Sequence, residues 1–399
     1  MLSTTLFYEA HLKSFTSARL SGLDTLRAIA IVAVMLFHLG WLLPESFGPV
    51  SRFGWMGVDL FFVLSGYLIG SQLLKPYLAG EKPSLADFYR RRIYRILPAY
   101  LFVLSLYALL PVWREADGMS PLWQFLTFTE NLFVDYSTHQ AFSHVGSLCV
   151  EEHFYLILPL LVLSMMRRPS LRKTATLLVS VVMLGIVLRA YVLFHELQPL
   201  GADNAGVKYI EHIYYPTYTH LDGLLAGVTL ALIKIFRPAW WAAVAQRGHS
   251  TLLASLLLIG TSVWLFKDRF DSVTGISAWG TVIGFPILSL GLGLLVASSI
   301  SRNGLLSRSP IPGAKLLATL AFSLYLIHKE IVHLDRIYLP SLTKGRDATA
   351  TLTYGASCIA AAGLLYLCIE RPFMLLRDRQ EDRRQPITVE DEMRSEPAL

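Results

Sequence analysis

Residues 22–41 read GLDTLRAIAIVAVMLFHLGW. The run is apolar enough to cross a bilayer, which takes about 20 residues of helix, yet it carries Arg27 and His38. They are eleven residues apart, about three helical turns. At ~100° per residue the offset is only about 20°, so both side chains fall on one face, roughly 16 Å apart along the axis. An ionisable group near the middle of a spanning helix costs about 2.5–3.5 kcal/mol on insertion scales. Snorkelling to opposite headgroup layers would explain either residue alone. Two on one stripe point instead to a polar seam facing other helices, where something is bound or transferred.

The rest of the chain has the same character. The hydrophobic fraction is 54%, the charged fraction 16% and the mean hydropathy +0.49, far from a soluble average. Apolar blocks of membrane-helix length fall at 22–43, 55–74, 96–113, 147–166, 174–194, 213–235, 251–266, 276–299, 316–335 and 350–369. The weakest is 251–266. The fold class is therefore an all-α, polytopic membrane bundle of about ten transmembrane helices. With the N-terminus inside, cytoplasmic segments hold 24 Lys plus Arg, counting Lys234 at the inner end of its span, and the external loops 8. That threefold excess places both termini in the cytoplasm.

Residues 1–21 lack a short apolar core and a small-residue cleavage site, so the first helix is expected to stay as its own insertion signal. Residues 22–373 form one transmembrane domain, and 374–399 read as a charged, disordered cytoplasmic tail. No 20–50-residue period repeats, which excludes solenoids. Cys149, Cys358 and Cys368 lack metal-ligand or disulfide spacing. The net charge of +6 is explained by the side of the membrane, not by nucleic acid. The external segment 114–146, with Trp113, Trp123, Phe125, Phe128 and Phe133 around it, suits a re-entrant or interfacial element.

Further polar groups sit where apolar ones are expected. Asp59 lies near the external end of the second span, and Ser65-Gly66 at its middle, where small residues let helices approach. Residues 88–98, FYRRRIYRILP, place four arginines in six positions before the third span. Any scatter of Lys and Arg would satisfy topology, but an all-arginine set suits phosphate through planar, bidentate donors. Arg92 and Arg95, at i and i+3, share a face. The fourth span opens SLCVEEHFY, with Glu151, Glu152 and His153 at the mouth of an apolar helix. HExxH spacing is absent and no second His/Cys cluster follows, so no metal is expected. His220 and Asp222 open the sixth span, and the ninth holds Tyr325, His328, Lys329 and Glu330.

At these residues the chain resembles the acyltransferase 3 family of integral membrane acyltransferases, which modify bacterial polysaccharides, lipopolysaccharide and other envelope or exported molecules. The likeness runs from about Leu20 to Phe373 and rests on LDTLRAIAIVAVMLFH, GVDLFFVLSGYLI, FYRRRIYRILP, SLCVEEHFY and FSLYLIH. It implies catalytic roles for Arg27, His38 and Glu151 and binding of an acyl-CoA donor, most simply acetyl-CoA, by Arg92 and Arg95. His38 would serve as general base or transient acyl carrier, Glu151 would orient it, and Arg27 would stabilise the thioester or its oxyanion. The acceptor would be a hydroxyl of a carbohydrate or lipid-linked glycan, and the protein would sit among lipids of the inner (plasma) membrane. Gly146 stands where the family usually has Trp, and His153 where it usually has Gln, departures expected to alter the acceptor pocket. The chain resembles the form without an esterase-like extension. The alternative from another class is a proton-coupled transporter or flippase of an anionic or lipid-linked solute, which intramembrane Arg, His and Glu would equally suit.

Overall fold

A computed structural model describes residues 21–267, 276–301, 303–308 and 311–382, without the side chains of 202–204, 308 and 382. Ten helices form the frame: α1 Ser21–Leu39, α2 Met56–Leu74, α3 Leu85–Leu109, α4 Gly146–Met166, α5 Leu171–Val192, α6 Asp222–Phe236, α7 Gly248–Leu265, α8 Phe285–Ser299, α9 Ala314–Tyr338 and α10 Ala348–Leu365. Among the described residues nine helices are long and apolar enough to cross a membrane. The tenth span is α6 taken with Pro238–Gln246, to which it is joined at a 108° bend. The bend falls at Arg237, whose place before Pro238 disfavours helical geometry. Each apolar block of the sequence has its helix, including 251–266. Among the described residues the one departure from helix and loop is an isolated bridge between Met119 and Ala141.

Lipid offers no partner for backbone polar groups and no hydrophobic drive between helices, so close approach and polar ties hold the frame. α2 and α6 make the closest pair: a Cβ on Gly66 would run into the Leu224 carbonyl, and one on Gly227 into that of Val63. Two buried polar pairs pin the same region. Arg189 of α5 donates to Asp222 Oδ2 at 2.6 Å and to the Thr219 carbonyl. Asp59 of α2, fully buried, accepts from His220 Nε2 at 2.9 Å, while His220 Nδ1 donates to the Tyr214 carbonyl. Asp59 thus ties helices together rather than facing water. The described surface of α5 and α7 is largely apolar and exposed, as a lipid-facing periphery should be.

Two boundaries differ from expectation. α3 begins at Leu85, not 96, because Ser84 caps it by accepting from the Asp87 amide at 3.2 Å. The arginine run is therefore helical. Beyond α10, the helix Arg371–Asp382 occupies part of the stretch expected to be disordered. It is held by the arginine run: Arg91 Nε donates to Glu381 at 2.9 Å and the Tyr94 hydroxyl to Gln380 at 3.1 Å. Segments 1–20 and 383–399 lie outside the described residues.

The external segment is folded. It contains the short helices Leu122–Leu126 and Glu130–Phe133, and buries Phe125 and Phe142 against Tyr100 and Tyr107 of α3. This packing carries Glu115 and His144 over the bundle.

Candidate functional site

Two cavities enter the bundle from opposite ends. The outer one, about 720 Å³, includes His38, Trp41, Glu115, His144 and Lys329 in its wall. The inner one, about 490 Å³, includes Arg27, Arg92, Arg95, Glu151 and Arg377. Val58, Ser147 and Tyr325 line both, so the cavities meet at one thin wall. There the Ser147 hydroxyl donates to Tyr325, and the Tyr325 hydroxyl donates to the His144 carbonyl.

On the outer side of the wall His38 Nδ1 lies 2.7 Å from His328 Nε2, with the rings stacked at 5.0 Å between centroids. The bond has a definite direction. His328 Nδ1 approaches the carbonyls of Leu324 at 2.9 Å and Tyr325 at 3.1 Å, and a carbonyl only accepts. His328 Nδ1 therefore carries its proton, and Nε2 of the neutral ring is the acceptor. His38 Nδ1–H donates to it, leaving the lone pair on His38 Nε2. A third ring, His144, packs at 6.1 Å from His38 and 5.4 Å from His328.

Glu115, His144 and Glu330 bring donor atoms within 4.8 Å of one another, a metal-compatible grouping that sequence spacing did not suggest. Lys329 Nζ, 2.7 Å from Glu115 Oε1, already supplies positive charge there. Just behind the wall Glu130 is fully buried, and burial raises its carboxyl to about 8. Gly146 abuts it: a Cβ at this position would meet Glu130 Oε2 at 3.2 Å and Tyr215 Cδ2 at 3.4 Å. Room for a tryptophan is taken by the carboxyl and the Tyr215 ring.

In the inner cavity Tyr155 donates to Glu151 at 2.6 Å, Ser65 donates to Tyr155, and the Arg92 guanidinium lies 5.5 Å over the Tyr155 ring. Arg95 is paired with buried Glu370, which also accepts from Ser323 at 2.8 Å. Arg27 lies 3.7 Å from Asp24. Arg27, Arg92, Arg95 and Glu151 thus share one chamber, while His38 lines the other. The expected pairing of Glu151 with the His38 ring is not formed: Tyr155 takes the carboxylate, and His328 is the imidazole's partner. Arg27 likewise keeps company with the arginine pair and not with His38. Of the two family departures, neither Gly146 nor His153 lines either of these two cavities, and His153 bonds Thr217 at 2.7 Å. His144 and Glu115 had no sequence signal, since they sit in an aromatic external segment and reach the site only through its tertiary packing.

Fold and cavities define a multi-pass membrane protein whose polar interior is divided into an arginine-rich inner chamber and a histidine-rich outer one. The chain belongs to the acyltransferase family: the Acyl_transf_3 acyltransferase domain matches residues 20–370. It is similar to O-acetyltransferase OatA of Staphylococcus aureus strain NCTC 8325 / PS 47, 28% identical over 344 residues, which cover 80% of this chain and 52% of the relative. The OatA of strain COL matches to the same extent. The chain spans about half the length of these curated relatives. No solved structure matches.

Proposed function

We propose that the protein is a membrane O-acyltransferase that moves an acyl group, most simply acetyl, from cytoplasmic acyl-CoA to a hydroxyl of a carbohydrate reached from the outer side. Family membership and the acetyltransferase relatives support the chemistry. The observation that carries the reading is the meeting of two chambers at the Ser147–Tyr325 wall, with a directed imidazole pair on the outer side and four arginines on the inner. Arg92, Arg95, Arg27 and Arg377 would hold the donor's phosphates, guanidinium being suited to them. The flexible pantetheine arm would carry the thioester to the wall. There the Ser147 and Tyr325 hydroxyls, whose protons go to Tyr325 and to the His144 carbonyl, would rotate out of those bonds to donate to the thioester oxygen.

His38 Nε2 would take the proton of the acceptor hydroxyl as its oxygen attacks the thioester carbonyl carbon. The C–S bond then breaks, and the leaving thiolate recovers that proton from the imidazolium. The products are the O-acyl ester and free CoA thiol, and His38 is returned unchanged. Glu151 acts in this scheme through Tyr155, holding the floor on which Arg92 rests. The inner (plasma) membrane is the location that gives the arginine chamber access to cytoplasmic acyl-CoA.

Opposed cavities with a thin wall also suit an alternating-access carrier, so the deciding experiment separates the two. Purified protein in liposomes is given acetyl-CoA labelled in its acetyl group, with envelope glycan as acceptor. Release of free CoA thiol and transfer of label to glycan are expected. Uptake of solute without thiol release would overturn the reading in favour of transport.

A further inference from the structure

The outer end of α9 presents one continuous stripe to the outer cavity. Tyr325, Lys329, His333 and Arg336 all line it, at spacings of four, four and three that keep them on one helix face. The stripe climbs from the wall to the mouth. Lys329 is spoken for by Glu115, the sole carboxylate among the lining residues. Arg336 is not: its guanidinium lies 4.8 Å over the exposed ring of Trp41. Across the cavity Arg52 donates to the Lys267 carbonyl and lies 5.9 Å from the Phe53 ring centroid. Neither arginine has a carboxylate partner among the described residues. External segments are where Lys and Arg are scarcest in this chain, so two arginines on one external cavity, neither paired with a carboxylate among the described residues, run against the topology bias.

We infer that the outer cavity takes an acidic acceptor: an oligosaccharide lying against Trp41, with a carboxylate or phosphate held between Arg336 and Arg52. This rests on the acyltransferase reading and names the class of its acceptor. Geometry also says where the charge lies. His328 and Arg336 are eight residues apart on α9, about 12 Å along the axis. That exceeds the width of one pyranose ring. An anion on a neighbouring sugar or on a linking phosphate fits that separation. The guanidinium is both the anion's partner and, through the Trp41 face, part of a platform for sugar.

The test uses the full chain in nanodiscs, with tryptophan fluorescence reporting binding. Trigalacturonate, the same trimer reduced to neutral galactose, and farnesyl diphosphate are titrated in turn. The acidic trimer is expected to bind at least tenfold more tightly than the neutral one, with an advantage that shrinks as salt is raised. Arg336→Gln should abolish the advantage, and Arg336→Lys should keep part of it. Binding of the diphosphate in preference to both trimers, lost in Arg336→Gln, would assign the anion to a lipid-linking phosphate. Equal binding of the acidic and neutral trimers with no response to diphosphate would overturn the inference. So would an Arg336→Gln effect equal on every probe. Thiol release from acetyl-CoA, followed on the same wild-type sample, reports the proposed function separately.

Discussion

A single proton on His328 Nδ1 sets the chemistry of the ring beside it. Because the Leu324 and Tyr325 carbonyls claim that proton, His328 Nε2 accepts, and the lone pair of His38 is left on Nε2, the atom proposed above as the base. His38→Gln cannot take a proton, so transfer should fall by the ~10²–10⁴-fold typical of a missing general base, with insertion and monodispersity kept. His328→Gln places an amide oxygen near the former Nε2 and should retain much of the rate, because the tautomer of His38 is still enforced. His328→Leu removes the acceptor and should lose most of it, through kcat rather than the KM for acetyl-CoA. Steady-state kinetics of the three variants check this. Equal losses in His328→Gln and His328→Leu would reduce His328 to a packing residue.

At the scale of elements, the proposed donor recognition falls to the arginine helix. Arg92 and Arg95 sit one turn apart on α3 and line the same chamber. Removing one charge-assisted hydrogen bond to the donor should cost about 1.5–3 kcal/mol, so Arg92→Ala or Arg95→Ala should raise the apparent KM for acetyl-CoA on the order of 10–100-fold. The KM for acceptor should stay near wild type, and unchanged donor dependence in both variants would leave the arginines as topology signals. The pair was legible in the sequence because four arginines in six positions exceed what topology needs. The start of α3 was not, because a hydropathy reading begins at the first apolar residue and misses a charged turn capped by Ser84. The helix after α10 was hidden for a related reason: Glu381 and Gln380 look like tail residues until the arginine run is seen beside them. His38, Arg27 and Glu151 could be found as ionisable groups in apolar runs. Their distribution between two chambers could not, since it depends on which helices face each other.

The same scale contains a pH device in the external segment. Burial raises Glu130 to about 8, against about 4.3 for a free glutamate. The folded state therefore holds a proton that the unfolded chain has released. Its contribution to stability is complete below the unfolded pKa and is lost as pH rises through about 8. Thermal unfolding in detergent should show declining stability between about pH 4.5 and 8, and Glu130→Gln should flatten that slope. Gly146→Trp, which collides with the carboxyl and with Tyr215, should destabilise the protein at every pH. A Glu130→Gln variant with the wild-type slope would assign the dependence elsewhere.

For the whole molecule, the proposed reaction requires that two substrates on opposite sides of a bilayer meet without the thioester meeting water. The wall answers with few atoms. Ser147 of α4 and Tyr325 of α9 close it, and the Tyr325 hydroxyl is fastened to the His144 carbonyl of the external segment. Three separate parts of the chain therefore converge on one phenol, and loosening it should uncouple the chambers more than it harms either. Tyr325→Ala removes the ring and both bonds, so water from the outer cavity should reach a thioester delivered from the inner one. The expected signature is a changed ratio: thiol release from acetyl-CoA persists while transfer to glycan falls, so hydrolysis per transfer rises at least tenfold. Tyr325→Phe keeps the ring but not the bonds and should lie between. Ser147→Cys supplies a second measure. With Tyr325 intact its thiol should react slowly with an impermeant reagent added outside, and faster when Tyr325→Ala is combined with it. Hydrolysis and transfer falling in parallel, with no gain in labelling, would show that Tyr325 acts on the reaction itself rather than as a partition.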